Sequence, residues 1–462
     1  MPLLWVAVGI GLMLVLVLVA RLDAFFALLL TSFAVGLLNG MDPLAILQSV
    51  LAGIGATMGN VILVLVFGAM LGRLIEESGA AHTIVHRLTA LTGLRNIQFA
   101  TAGAGLLVGL PMLYNAGFLV LIPLVYALSV TTRLPLIYLG LPMASALSVT
   151  HGFLPPHPAP TFVSFVYGAD VNRALLVGLV AAVPACLIGG VLFSRLLPRR
   201  PTAPPAGLYE PRDTDQRTLP GLGVSAFTTL VPVLLMLAGA VVDIAAGTAG
   251  IDPARAGAGF RAQLAAAVPD PGLRGLVLAA KFFGNANVAL LAAVFVGLYT
   301  LGIRRGRRMD DLMKSLGRSV GSIAMIVLVI AAGGAFSQVL RDGGVAEYVK
   351  QRALGLHANP LLLAFGIASA LRLAVGSATV ATLTTAGIMA PVAATSGVRP
   401  ELMVLATGAG SLMFSHFNDT GFWMFKEYYN VSIKETFATW SVMEIIVGLV
   451  GVGTALALQA VL

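Results

Sequence analysis

The residues best equipped for chemistry lie inside apolar surroundings. Ser415-His416-Phe417-Asn418-Asp419-Thr420 follows the apolar stretch 402–414, and Gly421-Phe422-Trp423 comes before Lys426-Glu427. A carboxylate such as Asp419 costs about 2.5 kcal/mol or more at the centre of a membrane-spanning helix, so it is expected to face a polar cavity. Asn and Asp side chains also compete for backbone hydrogen bonds, which unwinds the helix there. A broken helix presents N–H groups to an anion and C=O groups to a cation or proton donor. Asn418 and Thr420, together with Asn115 and His151, are expected to hydrogen-bond substrate hydroxyls. Asp419, with His416 or His157, is expected to carry a proton.

A second such stretch is Thr150-His151-Gly152-Phe153-Leu154-Pro155-Pro156-His157-Pro158-Ala159-Pro160, where four prolines in six residues rule out continuous helix. His151 and His157 belong to the side-chain type that titrates near neutrality, which suits proton relay or a hydrogen bond to an oxyanion. Arg372 precedes Gly376-Ser377-Ala378-Thr379. Its guanidinium has two readings, a fork onto a substrate carboxylate or an anchor snorkelling to the interface. Gly376, Ser377 and Thr379 supply hydroxyls and backbone amides, and Asn115 adds an amide near Gly109-Leu110-Pro111. Lys281, Asn285 and Asn287 read as the polar start of a span, and Glu76 and Glu77 as a structural helix end.

The elements that must position these groups follow from composition. Of 462 residues only 10% are charged and 58% are hydrophobic, with a mean hydropathy of +0.94. A soluble chain of this size carries about a quarter charged residues. Lipid therefore covers most of this surface. Apolar stretches recur near the ~20 residues that cross ~30 Å of hydrocarbon as helix, and the ~10-residue alternation of a β-barrel is missing. The expectation is an all-α, multi-pass protein of the cell (inner) membrane. Residues 1–20 lack a basic n-region and read as the first span, not as a signal peptide. The one cysteine, Cys186, lies in an apolar segment, which argues against disulfides and cysteine-ligated metal.

Basic residues cluster in two loops. One holds Arg195, Arg199, Arg200, Arg212 and Arg217 in a proline-rich linker; the other holds Arg304, Arg305, Arg307, Arg308, Lys314 and Arg318. Both are expected on the cytoplasmic side. The pI near 9.9 thus reports topology, and no nucleic-acid partner is expected.

Gly79 and Gly344, Pro135 and Pro400, and His151 and His416 are each separated by 265 positions. Three matches at one offset point to a duplicated unit. The first repeat would span 1–194, with a helical hairpin at about 97–130 and a broken helix at about 134–168. A cytoplasmic linker at 195–221 leads to the second repeat, 222–462, with a hairpin at about 359–398 and a broken helix at about 400–428. The first hairpin is expected to be interrupted at Gly109-Leu110-Pro111 and at Asn115-Ala116-Gly117. Between the copies, spans are expected near 134–168, 172–194, 222–246, 275–301 and 319–340. If residues 97–130 enter and leave on one side, that number is odd and the second copy is inverted. Paired breaks at membrane depth are tolerated where they line a cavity, and they mark the binding sites of secondary transporters.

The chain carries no Walker-type phosphate loop, no His-Glu-x-x-His and no Gly-x-Ser-x-Gly. His416 and Asp419 have no nucleophile partner for an intramembrane hydrolase. No enzyme activity, cofactor or metal is expected.

At these residues the sequence resembles the gluconate:proton symporter (GntP) family of bacterial permeases. The resemblance rests on Phe414-Ser415-His416-Phe417-Asn418-Asp419-Thr420-Gly421-Phe422-Trp423, on His151-Gly152-Phe153-Leu154-Pro155-Pro156-His157-Pro158 and on Arg372-Leu373-Ala374-Val375-Gly376-Ser377-Ala378-Thr379. It runs through nearly the whole chain and is weakest at 196–219 and 247–274. It implies proton-driven import of a small hydroxylated carboxylate, such as gluconate or a related sugar acid. Relatives also take D-serine or other hydroxy acids, and the wider ion transporter superfamily has inverted repeats with paired hairpins. Relatives commonly carry an acid where this chain has Asn115, which puts sodium beside the proton as coupling ion. A passive anion channel or exporter on the same scaffold is the reading from another class. The scaffold is compatible with a homo-oligomer.

Overall fold

The computed structural model describes residues 2–198, 205, 219–251, 258–344, 358–417 and 419–461. Asn418 lies outside them, as do Arg199, Arg200, Arg212 and Arg217 of the linker. Among the described residues the fold is all helix, with no strand. The first half runs α1 (Pro2–Leu18), α2 (Ala24–Leu38), α3 (Pro43–Glu77), α4 (Ala80–Thr92), α5 (Ile97–Gly109), α6 (Tyr114–Thr132), α7 (Leu136–Phe153), α8 (Pro158–Tyr167) and α9 (Val171–Leu196). The second half runs α10 (Leu222–Thr248), α11 (Ala258–Ala267), α12 (Pro271–Phe283), α13 (Ala286–Arg305), α14 (Met309–Ser322), α15 (Ala324–Asp342), α16 (Pro360–Val375), α17 (Ala378–Thr395), α18 (Pro400–Leu412), α19 (Thr420–Tyr428) and α20 (Ile433–Val461). Nine helical runs among the described residues are long and apolar enough to cross a membrane.

Local chemistry sets the helix ends. Asp42 caps α3 by accepting the amides of Leu44 and Ala45, with Pro43 opening the first turn. The helix stops at Ser78 before Gly79, whose φ of 73° suits glycine. Small residues let α3 and α15 touch backbone to backbone. A Cβ on Gly53 would come within 2.5 Å of the Gly334 carbonyl.

Both halves contain a helix–turn–helix followed by a broken helix. In the first, residues 110–113 join α5 to α6, and 154–157 separate α7 from α8. In the second, Gly376 and Ser377 join α16 to α17, and 413–419 separate α18 from α19. The expected second interruption at Asn115-Ala116-Gly117 is not there. Those residues form the first turn of α6, where helix tolerates Asn and Gly, and the single break precedes Tyr114. Two expected spans begin later than the sequence implied. The stretch near 275–301 is divided at Gly284-Asn285 into the amphipathic α12 and α13, and Asn285 caps α13 through the Asn287 amide. The stretch near 319–340 is divided at Ile323 between the amphipathic α14 and α15.

The packing is reciprocal. Helix α5 lies along α7, and α16 lies along α18. The second hairpin's α17 packs against α8 of the first half. From the first hairpin, Phe118 of α6 stacks edge-on against Tyr428 at 5.7 Å, and the Tyr126 hydroxyl donates to the Tyr428 carbonyl at 2.6 Å. The broken helices themselves touch: a Cβ on Gly408 would sit 2.1 Å from the Gly152 carbonyl.

Candidate functional site

A cavity of about 650 Å³ lies where the hairpins and broken helices meet. That is within the ~300–1,000 Å³ of small-molecule sites. The N-termini of three helices open onto it: α6 through Tyr114 and Asn115, α17 through Ser377, Ala378 and Thr379, and α19 through Thr420 and Gly421. Helix N-termini carry partial positive charge and first-turn amides that lack intrahelical partners. The Ser377 hydroxyl accepts from the Val380 amide, and Asp419 accepts from the Gly421 amide at 3.0 Å. Clustered helix N-termini of this kind are electrostatically suited to an anion.

Arg372 lies on the cavity wall, only 4% exposed. It does not snorkel. Its guanidinium donates to the Asp419 carboxylate and to the Gly376 carbonyl. Nη1 and Nη2 each make one of these bonds out of the five N–H donors of a guanidinium, and Nε is buried without a partner among the described residues. Asp419 also accepts from the Ser415 hydroxyl. Ser415 in turn accepts from Trp440 Nε1 at 2.8 Å, and its carbonyl accepts from the Ser441 hydroxyl at 2.5 Å. Both partners belong to α20, within its π-helical turn at Phe437–Ser441. The charged break is therefore tied to the last helix as well as to the second hairpin.

The cavity gathers Asn115, His151, Arg372, Gly376, Ser377, Thr379, Asp419 and Thr420 from the residues singled out in the sequence. His157 and His416 are not among its lining residues. His157 is buried at the start of α8, and its Nε2 donates to the Gly109 carbonyl at 2.7 Å, which ties the first break to the first hairpin turn. His416 Nε2 donates to the Leu373 carbonyl at 2.9 Å and does the same in the second half. A carbonyl only accepts, so both rings carry the proton on Nε2. His151 pairs edge-on with His157 at 5.6 Å. The histidine that mirrors His416 by contact is thus His157, although His151 mirrors it by position.

Sequence reading missed Ser148, Trp440 and above all Glu444, which also line the cavity. Glu444 is 1% exposed and accepts from the Ser148 hydroxyl at 2.5 Å. Its signal was present: an acid within an apolar span is a functional candidate by default. Elsewhere, Glu77 joins Arg73, Arg307 and Ser315 at the end of α3. Lys281 pairs with Asp243 at 2.5 Å and lies over the Phe260 ring, in a bond between α12 and α10. No cluster of metal-ligating residues occurs among the described residues. A smaller cavity of about 210 Å³ shares Leu113, Ala116 and Ser322 with the main one and reaches Arg73, Glu76 and Arg318.

A helical membrane bundle with broken helices around one polar, anion-compatible cavity defines a transport protein of the multi-pass type. The sequence profile described as GntP family permease matches residues 1–461, and the chain belongs to that family of bacterial inner-membrane permeases. It is 42% identical over 462 residues to the Gnt-II system L-idonate transporter of Escherichia coli (strain K12), with 100% of both chains covered. It is 41% identical, again over 100% of both, to a high-affinity gluconate transporter of the same organism. The gluconate permease of Bacillus subtilis (strain 168) is 40% identical over 100% of both chains. Among solved structures, the YdaH transporter of Alcanivorax borkumensis shares the fold with a TM-score of 0.61 at 18% identity, covering 91% of this chain and 88% of that one. MtrF of Neisseria gonorrhoeae does so with a TM-score of 0.58 at 15% identity, covering 88% and 83%.

Proposed function

We propose that this permease is a secondary active transporter that imports a small hydroxylated monocarboxylate, gluconate or a related sugar acid, together with protons. The observation that carries this reading is the convergence of three helix N-termini and the Arg372 guanidinium on one cavity. A carboxylate is the charge those groups attract. The side chains of Asn115, Ser148, Ser377, Thr379 and Thr420 around it supply the hydrogen bonds that a polyhydroxylated chain needs. The relatives named for gluconate and L-idonate support the same substrate class.

Arg372 holds the substrate carboxylate through the donors it has left, and Asp419 fixes the orientation of that guanidinium. This differs from a proton-carrying Asp419, whose carboxylate is already engaged by the arginine, the Ser415 hydroxyl and the Gly421 amide. Asn418 joins the hydroxyl contacts, and His157 and His416 set the positions of the two breaks. The two halves form inverted repeats, and transport proceeds by alternating access between them. The smaller cavity leads toward Arg318, which lies in α14 and belongs to the second basic cluster that the positive-inside rule assigns to the cytoplasm, so it forms the inward path.

Uptake into proteoliposomes with an alkaline interior tests the reading. Labelled gluconate should rise above its external concentration, with L-idonate competing more strongly than D-serine or 3-hydroxybutyrate. Equilibration without accumulation would make the protein a passive channel. Accumulation that follows a sodium gradient instead would replace the coupling ion.

A further inference from the structure

We propose that Glu444 is the carboxyl that takes up and releases the coupled proton, an assignment that rests on the transport reading above. Glu444 projects from α20 into the substrate cavity and is 1% exposed. Its Oε1 accepts from Ser148 at 2.5 Å, while Oε2 is buried without a hydrogen-bond partner among the described residues. A buried carboxylate with one oxygen unsatisfied and no cation of its own is costly, whereas a carboxylic acid there is neutral. The cation in reach, Arg372, is already engaged by Asp419.

The other groups around it complete the argument. From α16 it meets the field of Arg372, and from the second break that of Asp419. From α6 it faces the Tyr114 hydroxyl, and from α7 His151, which lines the same cavity. Arg173, Cys186 and Arg195 of α9, Glu401 of α18, and Lys426, Glu427 and Tyr428 of α19, on the other helices packed against α20, are not in the cavity lining. The Arg372–Asp419 pair sums to zero, so Glu444 decides whether the cavity is neutral or negative. An anionic substrate entering beside a charged Glu444 meets like-charge repulsion in a poorly hydrated site. A proton from external water on Oε2 removes that repulsion, so proton and anion favour each other's binding, and the favour is reciprocal. When the cavity faces the cytoplasm, the substrate leaves, the O–H bond breaks and the proton passes to water. One proton thus enters with one carboxylate.

The test uses the full-length protein in proteoliposomes. With one proton per substrate, a gradient of about one pH unit sustains about tenfold accumulation of gluconate in the wild type. Glu444→Gln should abolish accumulation, while exchange of internal for external gluconate persists and no longer responds to pH. Full pH-driven accumulation by Glu444→Gln overturns the assignment and leaves the transport reading intact. Absence of both accumulation and exchange in the wild type, with every sugar acid tried, overturns the transport reading itself. Should Glu444→Gln lose exchange as well, Glu444→Asp decides. A displaced pH midpoint of uptake supports the assignment, and an unchanged midpoint or no uptake overturns it.

Discussion

Between α7 and α8 the chain turns through residues 154–157, all buried, whereas between α18 and α19 it passes through residues 413–419 with Phe414 and Phe417 exposed. The first break is made by prolines, the second by polar and charged side chains. Proline has no N–H, so Pro155, Pro156 and Pro158 leave fewer donors to satisfy at a buried turn. The second break satisfies its groups with Asp419, Arg372, Trp440 and Ser441, which commits a charge to the site. Phe414 there adopts φ 54°, a left-handed conformation uncommon for a non-glycine residue. One break supplies rigid shape and the other supplies charge. Both are nevertheless secured in the same way, by a histidine donating to a carbonyl at the end of a hairpin's first arm.

The contrast is broken most severely at the charged side. Arg372→Met strands Asp419 without its cation, with an expected cost of about 3–5 kcal/mol and loss of uptake. Adding Asp419→Asn should recover thermal stability but not transport, as melting and uptake measured together would show. Recovery of transport by the double variant would remove Arg372 from substrate binding.

Next in size is the crossing of the two broken helices. Gly408→Ala drives a Cβ to 2.1 Å from the Gly152 carbonyl, and overpacking of this kind costs about 1–3 kcal/mol. Gly366→Ala in α16, where nothing lies within 4 Å of the added carbon, should instead stabilise by about 0.5–1 kcal/mol. Equal melting temperatures for the two variants would contradict the close crossing.

A smaller effect separates the histidines. His157→Ala removes a buried hydrogen bond to the Gly109 carbonyl, which keeps only the 3.3 Å bond from the Met112 amide, at about 0.5–1.5 kcal/mol. His416 is partly exposed, and water can replace its bond to Leu373, so His416→Ala should lower the melting temperature less. The reverse order would mean that the proline-built break does not depend on its histidine. Smallest of all is Arg308→Ala. Its pair with Asp310 is 80% and 76% exposed, and exposed pairs contribute about 0–1 kcal/mol. An unchanged melting temperature is expected.

Much of this was legible in the chain itself. Near-absence of charge specified a membrane bundle, because hydrocarbon excludes charge wherever it meets the surface. Proline clusters and polar runs marked both broken helices, because helix interruption is a local property of neighbouring residues. The hairpin turns were placed within a few residues, with the error at Asn115 arising because the first turn of a helix accepts residues that its middle does not. Glu444 was legible and was passed over, one acid within a long apolar run.

Partnership was not legible. Arg372 and Asp419 are 47 residues apart, and Ser148 and Glu444 are 296 apart. No local rule connects them; they meet because α16, α19, α7 and α20 pack around one cavity. That packing made Arg372 a buried fork instead of an interfacial anchor and paired His416 with the function of His157. It also left Glu444, rather than Asp419, as the carboxyl without a cation. Composition determined where this chain lies and where its helices break, because those depend on solvent and near neighbours. Which charges cancel and which remain free was decided only when distant helices closed on each other, because electrostatic pairing depends on distance in space and not along the chain.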